Sequence, residues 1–113
     1  MRRGEVWLAN LNPPRGREIG KIRPVVVVQA QELDAGTTPM VIVLPMTTRI
    51  IGGLKRCRVA VKARDRLKQD SQIVTDQPRA LDRQRVIEGP LTMLSDAEMV
   101  AVENGLRIVM GLL

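Results

Sequence analysis

Pro14-Arg15-Gly16-Arg17-Glu18-Ile19-Gly20-Lys21-Ile22-Arg23-Pro24-Val25-Val26-Val27-Val28 holds the transition on which the fold turns. Its second part is four consecutive valines. Branching at Cβ restricts χ1 and favours extended backbone, so residues 25–28 read as a buried strand. Its first part is a basic loop in which Arg15, Arg17, Lys21 and Arg23 face one acid, Glu18. Gly16 and Gly20 give that loop access to positive φ and to close approach by a ligand. Pro24 pushes Arg23 towards an extended conformation and, lacking an N–H, suits the first position of a strand. The stretch therefore predicts an arginine fixed at the mouth of a buried strand, which is a better functional group than one on a free loop.

Working outward, residues 4–11 read as a preceding strand, bounded by Gly4 and the Asn12-Pro13-Pro14 turn, with Trp7 packing in or beside the core. Residues 31–39 read as a connection with one helical turn. Residues 40–46 are apolar throughout, which predicts a strand buried on both faces, with Pro45 marking an edge or a bulge. Thr47, Thr48 and Arg49 follow it. Small hydroxyls at the end of a buried strand can reach a ligand from a fixed backbone, and threonines there are also ordinary turn chemistry. After the Gly52-Gly53 turn, residues 56–62 alternate, with Arg56, Arg58 and Lys62 on one face and Cys57, Val59 and Val61 on the core face. Short strands are expected at 71–76 and 84–88, the latter ending at a Gly89-Pro90 turn. A helix then starts at Ser95. Ser95 and Glu98 form a capping box, Leu94 and Met99 a hydrophobic staple, and Asp96 and Glu98 complement the helix dipole. Met99, Val102, Leu106, Val109, Met110 and Leu113 make its apolar stripe, while Val100, Ile108 and Leu112 lie off it. So wide an apolar circumference suggests a second contact surface, with a partner subunit the first candidate. Several strands followed by one helix define an α+β domain with a mostly antiparallel, strongly coiled sheet, and residues 1–113 form a single domain.

Composition narrows the function. A net charge of +6 with pI near 10.7 points to an anionic partner, nucleic acid ahead of a membrane surface. There is no histidine, the residue most used for proton transfer near neutral pH. The single Cys57 excludes an intramolecular disulfide and a multi-cysteine zinc site, and no metal or cofactor is expected. With no signal-peptide core and no apolar run long enough for a bilayer, a reducing, cytoplasmic setting is predicted. Trp7 is the lone aromatic, so a base-stacking platform is disfavoured; nucleic acid would be held by cations, hydroxyls and amides.

Six motifs, in order, resemble the MazF/PemK family of toxin endoribonucleases. They are Arg-Gly-Glu-Val-Trp-Leu at 3–8, Leu-Asn-Pro at 11–13, Gly-Arg-Glu-Ile-Gly-Lys-Ile-Arg-Pro-Val-Val-Val-Val at 16–28, Asp-Ser-Gln-Ile-Val at 70–74, Asp-Gln-Pro-Arg-Ala-Leu-Asp at 76–82 and Leu-Ser-Asp-Ala-Glu-Met at 94–99. The resemblance implies an SH3-like, partly open antiparallel β-barrel with a C-terminal α-helix, assembled as a homodimer. It implies metal-independent, sequence-specific cleavage of single-stranded RNA, mainly mRNA, leaving 2′,3′-cyclic phosphate and 5′-OH ends. It also implies a MazE-like antitoxin whose acidic, disordered tail covers the RNA groove. On this resemblance Arg23 matches the catalytic arginine and Thr47 the catalytic threonine, with Thr48 as the neighbouring alternative. Glu18, Asp76 and Gln77 match supporting positions, and Arg15, Arg17, Lys21, Arg49, Lys55 and Arg79 are the RNA-binding candidates. Members with a catalytic aspartate carry an arginine two residues before it and a loop histidine. Here the first position is Val74 and the histidine is missing, so the Arg/Thr form of the site fits better. The competing readings are a gyrase poison of the CcdB type, which shares a similar fold, and a non-catalytic RNA-binding module.

Overall fold

The four valines divide by parity between two cores, and the rest of the sheet follows from that split. The computed structural model describes residues 1–33, 38–52 and 57–112. Its strands are β1 (Glu5–Asn10), β2 (Ile22–Val27), β3 (Met40–Thr47), β4 (Arg58–Val61), β5 (Ser71–Val74), β6 (Arg79–Asp82) and β7 (Val86–Met93), followed by helix α1 (Asp96–Met110). Val26 and Val28 join Val6, Leu44, Met46, Ile73 and Val102 in one cluster. Val25 and Val27 join Ala9, Leu11, Val41, Val43 and Leu81 in the other. A strand buried on both faces needs no polar alternation, which is why this run reads as unbroken valine.

β3 is the centre of the sheet, whose order is β4-β5-β3-β2-β1-β7 with β6 also on β3. One edge of β3 carries β2, from Val25↔Pro45 to Val27↔Val43. The other edge carries β6 along Met40–Val43 and then β5 at Met46 and Thr47. Pro45 sits where the second edge changes partner, a place where a residue without an N–H interrupts neither ladder on that edge. All pairings are antiparallel. The far edges approach through the segment after β4, where Arg66 N donates to the Leu91 carbonyl of β7 at 2.9 Å. The result is the expected SH3-like, partly open antiparallel barrel with a C-terminal helix.

Three local outcomes differ from the sequence reading. β2 begins at Ile22, so Arg23 lies inside the strand, opposite Ala9, and Pro24 is its third residue, opposite Leu8. β6 has no apolar alternation, with Leu81 its one core residue, and forms because β3 offers it an open edge. Gly89-Pro90 does not end a strand. It lies within β7, where the register against β1 shifts, and a Cβ at Gly89 would come within 2.6 Å of the Trp7 ring. Trp7 thus packs flat on backbone that only glycine leaves open.

α1 is built as its start signals require. Ser95 Oγ accepts from Glu98 N at 3.1 Å, and Glu98 Oε1 accepts from Ser95 N at 2.8 Å. Gly111 closes the helix at φ +67°. Val102 is fully buried, and Met99 and Leu106 pack beside it. Gly105 lies against Thr75, where a Cβ would come within 2.9 Å of the side chain. Val109 and Met110 remain 36% and 57% exposed, so the last part of the stripe outruns the barrel. Leu113 lies outside the described residues.

Candidate active site

Cross-strand register creates the site. Extending the β2–β3 ladder two residues beyond Val25↔Pro45 sets Arg23 opposite Thr47. Arg23 Nη1 donates to Thr47 Oγ1 at 3.3 Å, and its Nε donates to the Gly20 carbonyl at 2.8 Å. Arg23 Nη2 has no bond among the described residues. Thr47 is buried, and its Oγ1 also accepts from Arg49 N at 3.1 Å. A hydroxyl has two acceptor lone pairs and one donor. Both acceptor positions of Thr47 are taken by nitrogen donors, so its hydrogen is what remains to offer.

The basic loop is held against this pair at several points. Leu11 N donates to the Lys21 carbonyl at 2.8 Å, and Lys21 N to Asn12 Oδ1 at 2.8 Å. Lys21, at φ +70°, takes the left-handed conformation beside Gly20, while Gly20 itself is required for space: a Cβ there would strike the Pro14 ring at 2.6 Å. Gly16 does adopt positive φ, +56°. Gln77 Oε1 accepts from Ile19 N at 3.1 Å, and Arg79 Nη1 donates to the carbonyls of Leu11 at 3.2 Å and Ile19 at 3.5 Å. Gln77 and Arg79 therefore support the loop from below.

Between loop and barrel runs an open groove of about 420 Å³. Arg17, Lys21, Arg23, Arg49 and Arg58 line it against one carboxylate, Glu18, with Thr47, Ile51 and Gln77. It continues past Arg23 and Pro24 to Thr48 and Ser71, and from there to a more apolar cleft lined by Leu8, Leu67 and Leu91 with Arg66 and Lys68. Cations along a continuous trough suit a single polyanionic strand.

The structure brings together Arg23, Thr47, Glu18, Arg17, Lys21, Arg49 and Gln77. Thr48 is exposed; it does not line the groove beside Glu18, but it shares the adjoining pocket with Arg23, Pro24 and Thr47. Glu18 Oε1 accepts from Arg15 N at 2.7 Å, closing the loop turn, and Arg15 is exposed outside the groove lining. Asp76 is exposed in the turn after β5 and does not line the groove. Lys55 lies outside the described residues. Cys57 is half-buried rather than fully in the core, because it precedes β4 and its carbonyl accepts from Thr75 N at 3.0 Å. The groove residue that sequence reasoning left out is Arg58. Alternation in 56–62 placed it on the polar face, but only the register of β4 on β5 shows that it overhangs the same groove as Thr47.

The fold is a small antiparallel barrel with a C-terminal helix, and its Arg23–Thr47 pair lies in a groove lined mainly by cations. Residues 2–110 match the family model described as PemK-like, MazF-like toxin of type II toxin-antitoxin system, and the chain belongs to that family. It is a homologue of the Endoribonuclease MazF of Staphylococcus saprophyticus, 44% identical over 115 residues that cover 99% of this chain and 92% of the relative. Among solved structures it resembles MazF (Form-I) from Deinococcus radiodurans, with TM-score 0.83 and 22% identity over 98% of this chain and 96% of that one. It also resembles a MazE-MazF complex (Form-II) from the same organism, with TM-score 0.77 and 23% identity over 100% of this chain and 97% of that one. At these identities the structural likeness supports the fold. Among the described residues no helix is long and apolar enough to cross a membrane.

Proposed function

We propose that the chain cuts single-stranded RNA, mainly mRNA, at the Arg23–Thr47 pair, using the neighbouring 2′-OH as nucleophile and no metal. The observation that carries this reading is the pair itself: two donors, coupled by a hydrogen bond, that keep unoccupied N–H and O–H groups in a cationic groove. The 2′-oxygen attacks phosphorus and the bond to the 5′-oxygen breaks, leaving a 2′,3′-cyclic phosphate and a 5′-OH. Arg23 binds the non-bridging oxygens and stabilises the charge that builds on them, as a planar, permanently charged fork does well. Thr47 donates its remaining hydrogen to the same phosphate. Glu18 is the one carboxylate in the lining; one oxygen holds the loop turn and the other is available to accept the 2′-OH proton. The open groove lets water protonate the departing 5′-oxygen.

The reading includes a homodimer and an antitoxin. Val100, Ile108, Met110 and Leu112 are each more than half exposed on or just beyond α1, an apolar surface suited to a second copy. A MazE-like antitoxin with an acidic, disordered tail would compete for the cationic trough, and the complex would reside in the cytoplasm. The test incubates purified protein with a long defined RNA and maps 5′-OH ends. Cleavage should disappear in folded Arg23→Ala, fall in Thr47→Ala, and stop at a site carrying a 2′-deoxy substitution. Continued cutting at the deoxy site would exclude 2′-OH attack, and intact RNA with the parent chain would remove the reading.

A further inference from the structure

Arg58 presents a feature that the cleavage reading does not use. Its Nε and Nη1 are shielded from solvent, yet neither has a hydrogen-bond partner among the described residues. Charged donors taken out of water without an acceptor are uncommon, because desolvation is then uncompensated. On β5, Gln72 exchanges bonds with the backbone of Ile51, while Thr75 Oγ1, next to the Val74 that pairs with Arg58, is likewise shielded without a partner among the described residues. Arg58 also lines the same groove as Arg23 and Thr47.

Register places it there. Thr47 pairs with Gln72 and Gln72 with Ala60, which makes one row across β3, β5 and β4. Arg58 pairs with Val74, one pleat along, on the same face. Strands about 4.8 Å apart and a rise of about 3.3 Å per residue put its Cα about 12 Å from that of Thr47. With the reach of an arginine, that spacing leaves room for a neighbouring phosphate of the same strand at Arg58.

We propose that Arg58 is a second phosphate site, holding the RNA phosphate next to the one at Arg23–Thr47. This rests on the groove being an RNA groove. Nε and Nη1 lie on different sides of the guanidinium, and the permanently charged group has no counter-ion among the described residues, which suits it to a phosphate. The site would fix the strand's register, so that the scissile bond stops at Arg23, without itself touching the reacting atoms.

The test measures binding of a short random-sequence oligoribonucleotide across a salt series, with cleavage measured separately. Arg58→Met should weaken binding about tenfold and lower the slope of log K against log salt by about 0.7, one phosphate contact on a single strand. Arg58→Lys should restore the slope but not the full affinity. Arg107→Gln, exposed on α1, should leave both unchanged. The melting temperature of Arg58→Met should hold or rise, since its donors have no protein partner to lose. An unchanged affinity and slope in Arg58→Met overturns the proposal. So does a lowered melting temperature with a slope that lysine does not restore, and so does weakened binding of an acidic peptide with RNA binding intact. If the parent chain binds but does not cut RNA while Arg58→Met still lowers the slope, the phosphate site stands and the cleavage reading fails. If cleavage is normal and the slope unmoved, the reverse holds.

Discussion

Arg64 and Arg23 make the same contact and come to different ends. Arg64 Nε donates to the hydroxyl of Thr92 at 3.2 Å, and Arg23 Nη1 to that of Thr47 at 3.3 Å. Around Arg64 everything else is also answered. Nη1 and Nη2 reach both oxygens of Glu98 at 2.8 and 2.6 Å, and Nη2 reaches the Met93 carbonyl at 3.1 Å. Among the described residues Arg23 meets a carbonyl, a hydroxyl and no carboxylate. A guanidinium whose fork is filled by a carboxylate is a brace, here joining the segment after β4 to the start of α1. One that lacks a counter-charge keeps its capacity for an anion. The partner set, rather than the residue type, distinguishes the two arginines.

The sharpest way to break that comparison is to remove each arginine in turn. Arg23→Met should lower the cleavage rate constant by about 10²–10³-fold, roughly 2.7–4 kcal/mol of transition-state stabilisation by analogy with an oxyanion donor. Its stability should change by no more than about 0.5–1 kcal/mol, because only neutral partners are lost. Arg64→Met should do the opposite. With side chains 30% and 19% exposed, the Arg64–Glu98 pair is partly desolvated, and its loss should cost about 1.5–3 kcal/mol in denaturant unfolding while the folded enzyme cuts RNA normally. Equal effects of the two substitutions on rate and on stability would refute the division.

Much of this was legible in the sequence, and the reasons for the exceptions are physical. The valine run, the Ser95–Glu98 box and the apolar 40–46 segment each carry their own local cause, so strands and helix could be placed before any contact was known. Arg23 and Thr47 could be singled out, but their contact depends on a β2–β3 register that no local pattern encodes. Arg58 shared its polar face with Arg56 and Lys62, and nothing in the alternation said which of the three meets the groove. β6 was missed because its pairing comes from an open edge of β3 rather than from its own residues. The resemblance makes Gln77 a supporting residue and Arg79 an RNA-binding candidate; both bond to the loop that shapes the groove, and Gln77 also lines it.

A pH series sharpens the comparison from the side of the acid. Glu98 has its pKa lowered from the ordinary value of 4.5, first by the hydrogen bond from Arg64, against an opposing push from burial, with help from the Ser95 backbone and the Arg64 charge. The same contact raises the pKa of Arg64. A carboxylate whose folded pKa is depressed contributes stability that is complete above its unfolded value and is lost as pH falls through the folded one. The melting temperature should therefore decline as pH drops below about 4.5. Glu98→Gln should start lower and show a shallower acid limb. An acid limb identical to that of the parent would mean that Glu98 does not carry this linkage.

The smallest effect comes from an ion pair that looks as good as the Arg64–Glu98 brace in distance alone. Arg66 Nη2 lies 2.7 Å from Glu88 Oε2, but these side chains are 56% and 51% exposed. In water the Coulomb gain is weak, and two long side chains lose freedom to hold one geometry, so such pairs contribute about 0–1 kcal/mol. Arg66→Met should thus shift stability by less than about 1 kcal/mol, and the difference from the parent should shrink as salt is raised. The backbone bond from Arg66 N to Leu91 survives the substitution, so closure of the barrel at this point should persist. A loss comparable to that of Arg64→Met would show that distance, and not burial with a filled fork, decides which arginines brace this fold.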